Sequence, residues 1–307
     1  SPASSGPPQP TEDVTAGTGE ELPQAFIVGL EKAPAHIGRL LLVLGGAYLI
    51  RALAGDEQVP ALAGVGAGLC YGLMWLVFAE RAGRRGDAHA STWHGVAAAA
   101  IVYPLLWETA ARFGIISFYV ASAVLLGATL AAFWIAARRT LPVLAAGFAG
   151  AAGICGLALM VSSGEASVPA SLALFGLGLA GLVLGRRFVL MAAMSTTAAS
   201  VDAAALVLGI VAVRGAGVPA STAIVLLVLF FVAYVTVIAE GALAGRWRLD
   251  GFDRSQTCVV LLLGFGGAMF VARRTAMYEL GLGLGAVVLA MGLYLLAFTV
   301  LDRERRR

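Results

Sequence analysis

The sequence predicts an all-α fold, a polytopic integral membrane helix bundle, and three observations carry that expectation. Of 307 residues, 60% are hydrophobic and only 13% charged. A soluble domain averages about 25% charged, so the solvent for most of this chain is lipid. Mean hydropathy is +0.89. Apolar runs near the roughly 20 residues needed to cross a bilayer recur with short polar breaks, leaving room for about ten spans.

The elements are read in chain order. Residues 1–35 read as a disordered linker rich in Pro, Gly and Ser. Its first 21 residues hold four acids and no base, with too little apolar surface to offset the entropy of ordering. Phe26, Ile27 and Leu30 allow a short interfacial helix there, with an ordered linker as the alternative. The basic n-region and apolar core of a signal peptide are missing. A chain beginning at Ser1 is expected to be a processed or partial product. Residues 36–302 form the transmembrane helical domain. Its helices are expected at 37–54, 60–79, 93–112, 115–137, 141–162, 168–185, 188–213, 218–240, 257–272 and 276–301. The runs at 168–185 and 257–272 are short and imply little tilt or a thinned bilayer. Residues 303–307 are a basic cytoplasmic tail.

Basic residues orient the array. With these ten spans, 16 of the 21 basic side chains fall on the side holding both termini. The other side keeps Arg51, Arg112, Arg214, Arg273 and Arg274. Lysine and arginine in short loops stay cytoplasmic, so both termini are expected in the cytoplasm, and a bacterial inner membrane is the expected location. The pair Arg273-Arg274 runs against the rule.

The bundle reads as built of helical hairpins. "VPA" recurs at Val59, Val168 and Val218, each time opening a helix at the outer face. Proline suits a first helical turn because its missing N–H has no partner there. This suggests a degenerate hairpin repeat of about fifty residues. The plainer alternative is that Pro starts helices and Val fills membranes. Glycines mark close helix contacts: Gly64, Gly68 and Gly72 are four apart, as are Gly181 and Gly185, while Gly147, Gly150, Gly153 and Gly156 are three apart. Small residues on one face let helices approach in lipid. Such faces serve packing first, can join a protein partner or a second copy, and could also line a solute path.

Several functions are excluded or unsupported. Net charge is only +3, with no basic patch interleaved with aromatics, so nucleic acid is not an expected partner. Cys70, Cys155 and Cys258 stand apart in apolar runs and read as small buried hydrophobes. His89 and His94 follow Asp87 in what reads as a cytoplasmic loop. Two histidines fall short of the three or four converging ligands a metal needs. No nucleophile–base pair or phosphate-cradling loop is present, so neither catalytic residues nor cofactor or metal sites are expected.

Three stretches suggest a family. "IGRLLLVLGGAYLIRAL" (37–53), "YPLLWETAARF" (103–113) and "RRTLPVLAAGFAGAAGICGLALMVSSG" (138–164) resemble a bacterial family of predicted multi-spanning membrane proteins of unknown function. The likeness is best over 37–190. It implies a cytoplasmic coiled coil, then a Pro-rich linker, then many membrane helices, and it implies no reaction.

Two places hold candidate site residues. Asp202 lies mid-helix in "MSTTAASVDAAALVLG" (194–209). A charge there costs about 2.5–3.5 kcal/mol on insertion scales, so such residues face the bundle interior. Ser195, Asp202 and Gly209 share one small, slightly polar stripe that should turn towards protein. Asp202 reads either as a proton or cation relay or as a carboxyl hydrogen-bonded to a neighbouring helix. No second intramembrane acid is evident as its partner. The other place is "YPLLWETAARF", near the outer end of its helix. Glu108 and Arg112 have the spacing of an intrahelical ion pair. Pro104 frees a backbone carbonyl one turn above, beside Tyr103 and Trp107, and irregular backbone of this kind lines cavities in membrane bundles. Interface anchoring by the aromatics is the alternative. Arg51, also near the outer face, could join a solute or headgroup site there. Glu80, Glu240 and Glu279 sit at helix ends within reach of water.

The leading expectation is a non-enzymatic scaffold or envelope-associated assembly protein, because packing glycines are many and intramembrane polar groups few. The alternative is a transporter of a small or amphipathic solute, coupled to protons through Asp202. An intramembrane enzyme is the third reading, and it lacks paired catalytic groups.

Overall fold

The computed structural model describes residues 60–243 and 251–276 without a break, with scattered positions among 38–45 and 278–298. Ser1–Leu42 and Val43–Arg307 are separate units, and the helical bundle belongs to the second. The expected linker, all of the first span but Gly38 and Gly45, Arg51 included, and the basic tail lie outside the described residues. The last expected span is described in part, as an apolar helix over Gly281–Gly292.

Eight helices make up the continuous part, and the described residues contain no strand. α1 is Ala61–Arg84 and follows Pro60. α2 is Ala88–Trp107, capped by Asp87, whose side chain accepts the Ala90 N–H at 2.8 Å. It runs on through a π turn, Glu108–Arg112. α3 is Phe118–Arg139 and is capped by Ser117. α4 is Pro142–Ser162, with Pro142 in its first turn. α5 is Gly164–Phe188, capped by Ser163, which accepts the Glu165 N–H. α6 is Met191–Val213 and α7 is Ala220–Leu243. α8 is Gly251–Thr275, interrupted by a π turn at Leu261–Gly266. Seven of the eight, all except α2, are long and apolar enough to cross a membrane by length and composition.

Four expectations need correction. The runs at 168–185 and 257–272 are not short, since α5 and α8 each have 25 residues. Their first turns are polar, which disguises them as loop. Pro169 consequently lies inside α5, whereas Pro60 and Pro219 directly precede their helices. α2 starts at Ala88, so His89 and His94 are helical rather than in a loop. His89 accepts the Trp93 indole N–H at 3.0 Å, and His94 lies between the rings of Trp75 and Phe78. Finally, Cys155 is buried but Cys70 and Cys258 are exposed on the bundle surface.

Short connections join neighbours side by side, which makes consecutive helices antiparallel. Helices two apart also adjoin: α2 meets α4, α4 meets α6 and α6 meets α8, while α3 meets α5. The result is two interleaved rows, each of helices running the same way, with α1 packed on α2. Ends of helices alternate between two faces. One face holds Arg81, Arg84, Arg85, Arg138, Arg139, Arg186, Arg187 and Arg254. The other holds Arg112, Arg214, Arg273 and Arg274.

Glycine sets close contacts between helices. A Cβ on Gly68 would lie 2.7 Å from Leu105, and one on Gly72 2.6 Å from Val102, so α1 closes on α2 through these positions. Gly156 sits against Leu174, Gly181 against Thr197 and Gly185 against Met194. The three-spaced glycines of α4 therefore do not share one partner: Gly150 and Gly153 face α6, Gly156 faces α5, and Gly147 faces open space. In lipid, where apolar contact with solvent costs nothing, such close approach is what holds helices together.

Candidate functional site

A groove and a seam of ionisable groups lie in different parts of the bundle. The groove, of about 600 Å³, lies between α2 and α4. Its walls are almost wholly apolar, with Val96, Ala100 and Pro104 on α2 and Val143, Gly147, Ala151 and Ile154 on α4. Two local causes produce it. Ala and Gly side chains leave a shallow floor, and a Cβ on Gly147 would meet nothing within 4 Å. Pro104 has no N–H for the Ala100 carbonyl one turn back, which loosens α2 there.

Polar groups at the groove are satisfied internally. Thr129 on α3 donates to the Leu125 carbonyl at 2.7 Å, so its hydroxyl oxygen accepts from the Tyr103 hydroxyl, also at 2.7 Å. The Cys155 thiol points at the Tyr103 carbonyl, 3.3 Å away. Ser162 donates to the Ala158 carbonyl at 2.6 Å and accepts the Trp107 indole N–H at 3.0 Å. That last bond ties the end of α2 to the end of α4.

Of the expected site residues around "YPLLWETAARF", Tyr103 and Trp107 line this groove. Glu108 does not line it; it begins the π turn, in which the Phe113 N–H bonds the Glu108 carbonyl at 2.9 Å. Arg112 ends the same π turn, and its guanidinium lies over the Phe113 ring at 5.5 Å.

The buried charge is assembled by four helices. Arg186, in the last turn of α5, forms an ion pair with Asp253 at the start of α8, their side chains 9% and 3% exposed. One turn along α8, the Gln256 amide N–H₂ reaches both oxygens of Asp202 on α6 at 3.0 Å. Tyr234 of α7 is 1% exposed and lies within electrostatic reach of Asp202, Asp253 and Arg186. Asp202 thus has the protein partner and the nearby second acid that its own span did not reveal. Ser195 does not join it. It is exposed and donates to the Met191 carbonyl of its own helix at 3.0 Å. The expected stripe splits, with Asp202 and Gly209 turned to α8.

Sequence reasoning misses Arg186, Tyr234, Asp253 and Gln256. Arg186 reads as a loop cation, and Asp253 and Gln256 read as lying ahead of their helix. The available signal is their three-residue spacing before an apolar run, which puts both on one helical face.

A second charged contact lies at the arginine-rich face. Glu80 accepts from Arg84 and from Arg139, each at 2.9 Å. It is only 17% exposed, so it braces α1 against α3 rather than sitting freely in water. Among the described residues no group of three or more His, Cys, Asp or Glu side chains is arranged to hold a metal.

By fold, the chain is an apolar multi-helix bundle of membrane-protein type. No protein-family model, curated protein or solved structure matches it.

Proposed function

We propose that this chain is a non-enzymatic scaffold or envelope-associated assembly protein of a bacterial inner membrane. It crosses the bilayer about ten times, with both termini in the cytoplasm, and belongs with the coiled-coil, linker and multi-span proteins that its motifs resemble. Glycine faces that hold its own helices together can hold a partner or a second copy in the same way. The observation that carries this reading is how Asp202 is engaged: both carboxylate oxygens face Gln256, and the groove is lined by neither Asp202 nor Glu108. A solute path would be expected to reach these carboxylates. The experiment is proton flux in reconstituted vesicles loaded with a pH-sensitive dye. Wild type and Asp202→Asn are expected to leak protons equally.

The second reading is a proton-coupled transporter of a small or amphipathic solute. It is favoured by the ionisable groups that three helices bring to one seam, Asp202, Arg186 and Asp253, since intramembrane ionisable groups commonly mark ion pathways. A solute-dependent proton flux abolished by Asp202→Asn would establish this reading and end the first.

A further inference from the structure

We infer that the groove between α2 and α4 holds one acyl chain of a membrane phospholipid, whose headgroup lies at the arginine-rich face. This rests on the bilayer setting of the helices and not on the scaffold reading.

Size selects the occupant. The groove's lining on α4 runs from Val143 to Ala158 and on α2 from Val96 to Trp107, which at 1.5 Å per residue is a length of roughly 16–22 Å. A volume of about 600 Å³ over that length leaves a cross-section of roughly 27–37 Å². A helix 10–12 Å across needs roughly 80–110 Å², so one from a partner or second copy would rest on the groove without filling it. One extended hydrocarbon chain fits within it. The length is also comparable to one leaflet's share, roughly 15 Å, of the hydrocarbon core.

The ends select the direction. The Trp107–Ser162 hydrogen bond bridges α2 and α4 at one end. The other end lies towards Val96 and Val143, on the side where α2 and α4 both begin. That side carries Arg81, Arg84, Arg85, Arg138 and Arg139, the charge that an anionic or zwitterionic phosphate headgroup favours. The chain therefore enters from that leaflet, with its terminal methyl against Trp107. The apolar walls suit it, and the polar atoms of Tyr103 and Cys155 are already bonded within the protein.

The test is native mass spectrometry of the full chain, purified in mild detergent from vesicles of phosphatidylethanolamine and phosphatidylglycerol. Gly147→Leu fills the groove where a Cβ meets nothing within 4 Å. Gly127→Leu is the matched control on the exposed face of α3, with the same free space. Ala151→Val is a milder filling variant should Gly147→Leu fail to fold. Wild type and Gly127→Leu should each retain one phospholipid that the filling variants lose. Retention of no lipid by wild type, or of the same lipid by a folded filling variant, overturns the inference. So does a retained free fatty acid or isoprenoid in place of phospholipid, or a dimer that the filling variants dissociate.

Discussion

Arg186 and Asp253 pair where neither has ready access to water. Leaving one buried charge without its partner costs about 3–5 kcal/mol. Arg186→Ala and Asp253→Ala should each destabilise the bundle by that order, measured by denaturant unfolding in mild detergent. The charge-swapped double variant, Arg186→Asp with Asp253→Arg, should recover part of the loss. Additive losses in the double variant would show that the two side chains do not act as a pair. The Asp202–Gln256 contact belongs to the same seam and lies one turn along α8. At this scale the sequence is informative about one partner only. Asp202 is conspicuous because its neighbours are apolar. Gln256 and Asp253 are not, because they sit in a polar stretch that reads as a connection.

Helices in this chain are specified by different devices at their two ends. Starts are visibly capped: Asp87, Ser117 and Ser163 cap helices with their side chains, as short polar residues should, yet α2 and α5 begin ahead of the expected 93 and 168 because their first turns are polar. Stops are less so, because Thr140, Val189 and Ala276 take left-handed conformations where glycine is the usual sign. The two π turns are not legible at all. In the second of them Gly264 lies close against Phe231 of α7. Glycine spacing foretells close packing but not which neighbour each glycine meets. Gly156→Leu should test this at the α4–α5 contact, where a Cβ would fall 2.8 Å from Leu174. Overpacking of this kind costs about 1–3 kcal/mol, so its unfolding transition should drop while that of Gly127→Leu holds. Equal transitions for the two would remove Gly156 from the packing account.

Across the whole molecule, two rows of parallel helices create both candidate features. Antiparallel neighbours bring arginines to one face. Parallel neighbours two apart, α2 and α4, leave the groove between them. The alternation predicts that loops 85–87, 140–141 and 189–190 open on one side of the membrane, and loops 113–117 and 214–219 on the other. Single cysteines at Gly86 and at Gly215, in a chain freed of its own cysteines, should label with an impermeant maleimide from opposite sides of sealed vesicles. Labelling of both from one side would break the orientation and with it the leaflet assigned to the acyl chain.

Composition and arginine placement alone determined that the chain is helical, apolar and threaded back and forth, because lipid forces every backbone group to bond within its own helix. Those constraints are local and act on each segment separately. The pairing of Asp202 with Gln256, the burial of Arg186 and the space between α2 and α4 were decided only in the tertiary structure. They depend on which helices lie side by side and at what depth. Apolar side chains that are nearly interchangeable in lipid do not encode that choice of neighbour.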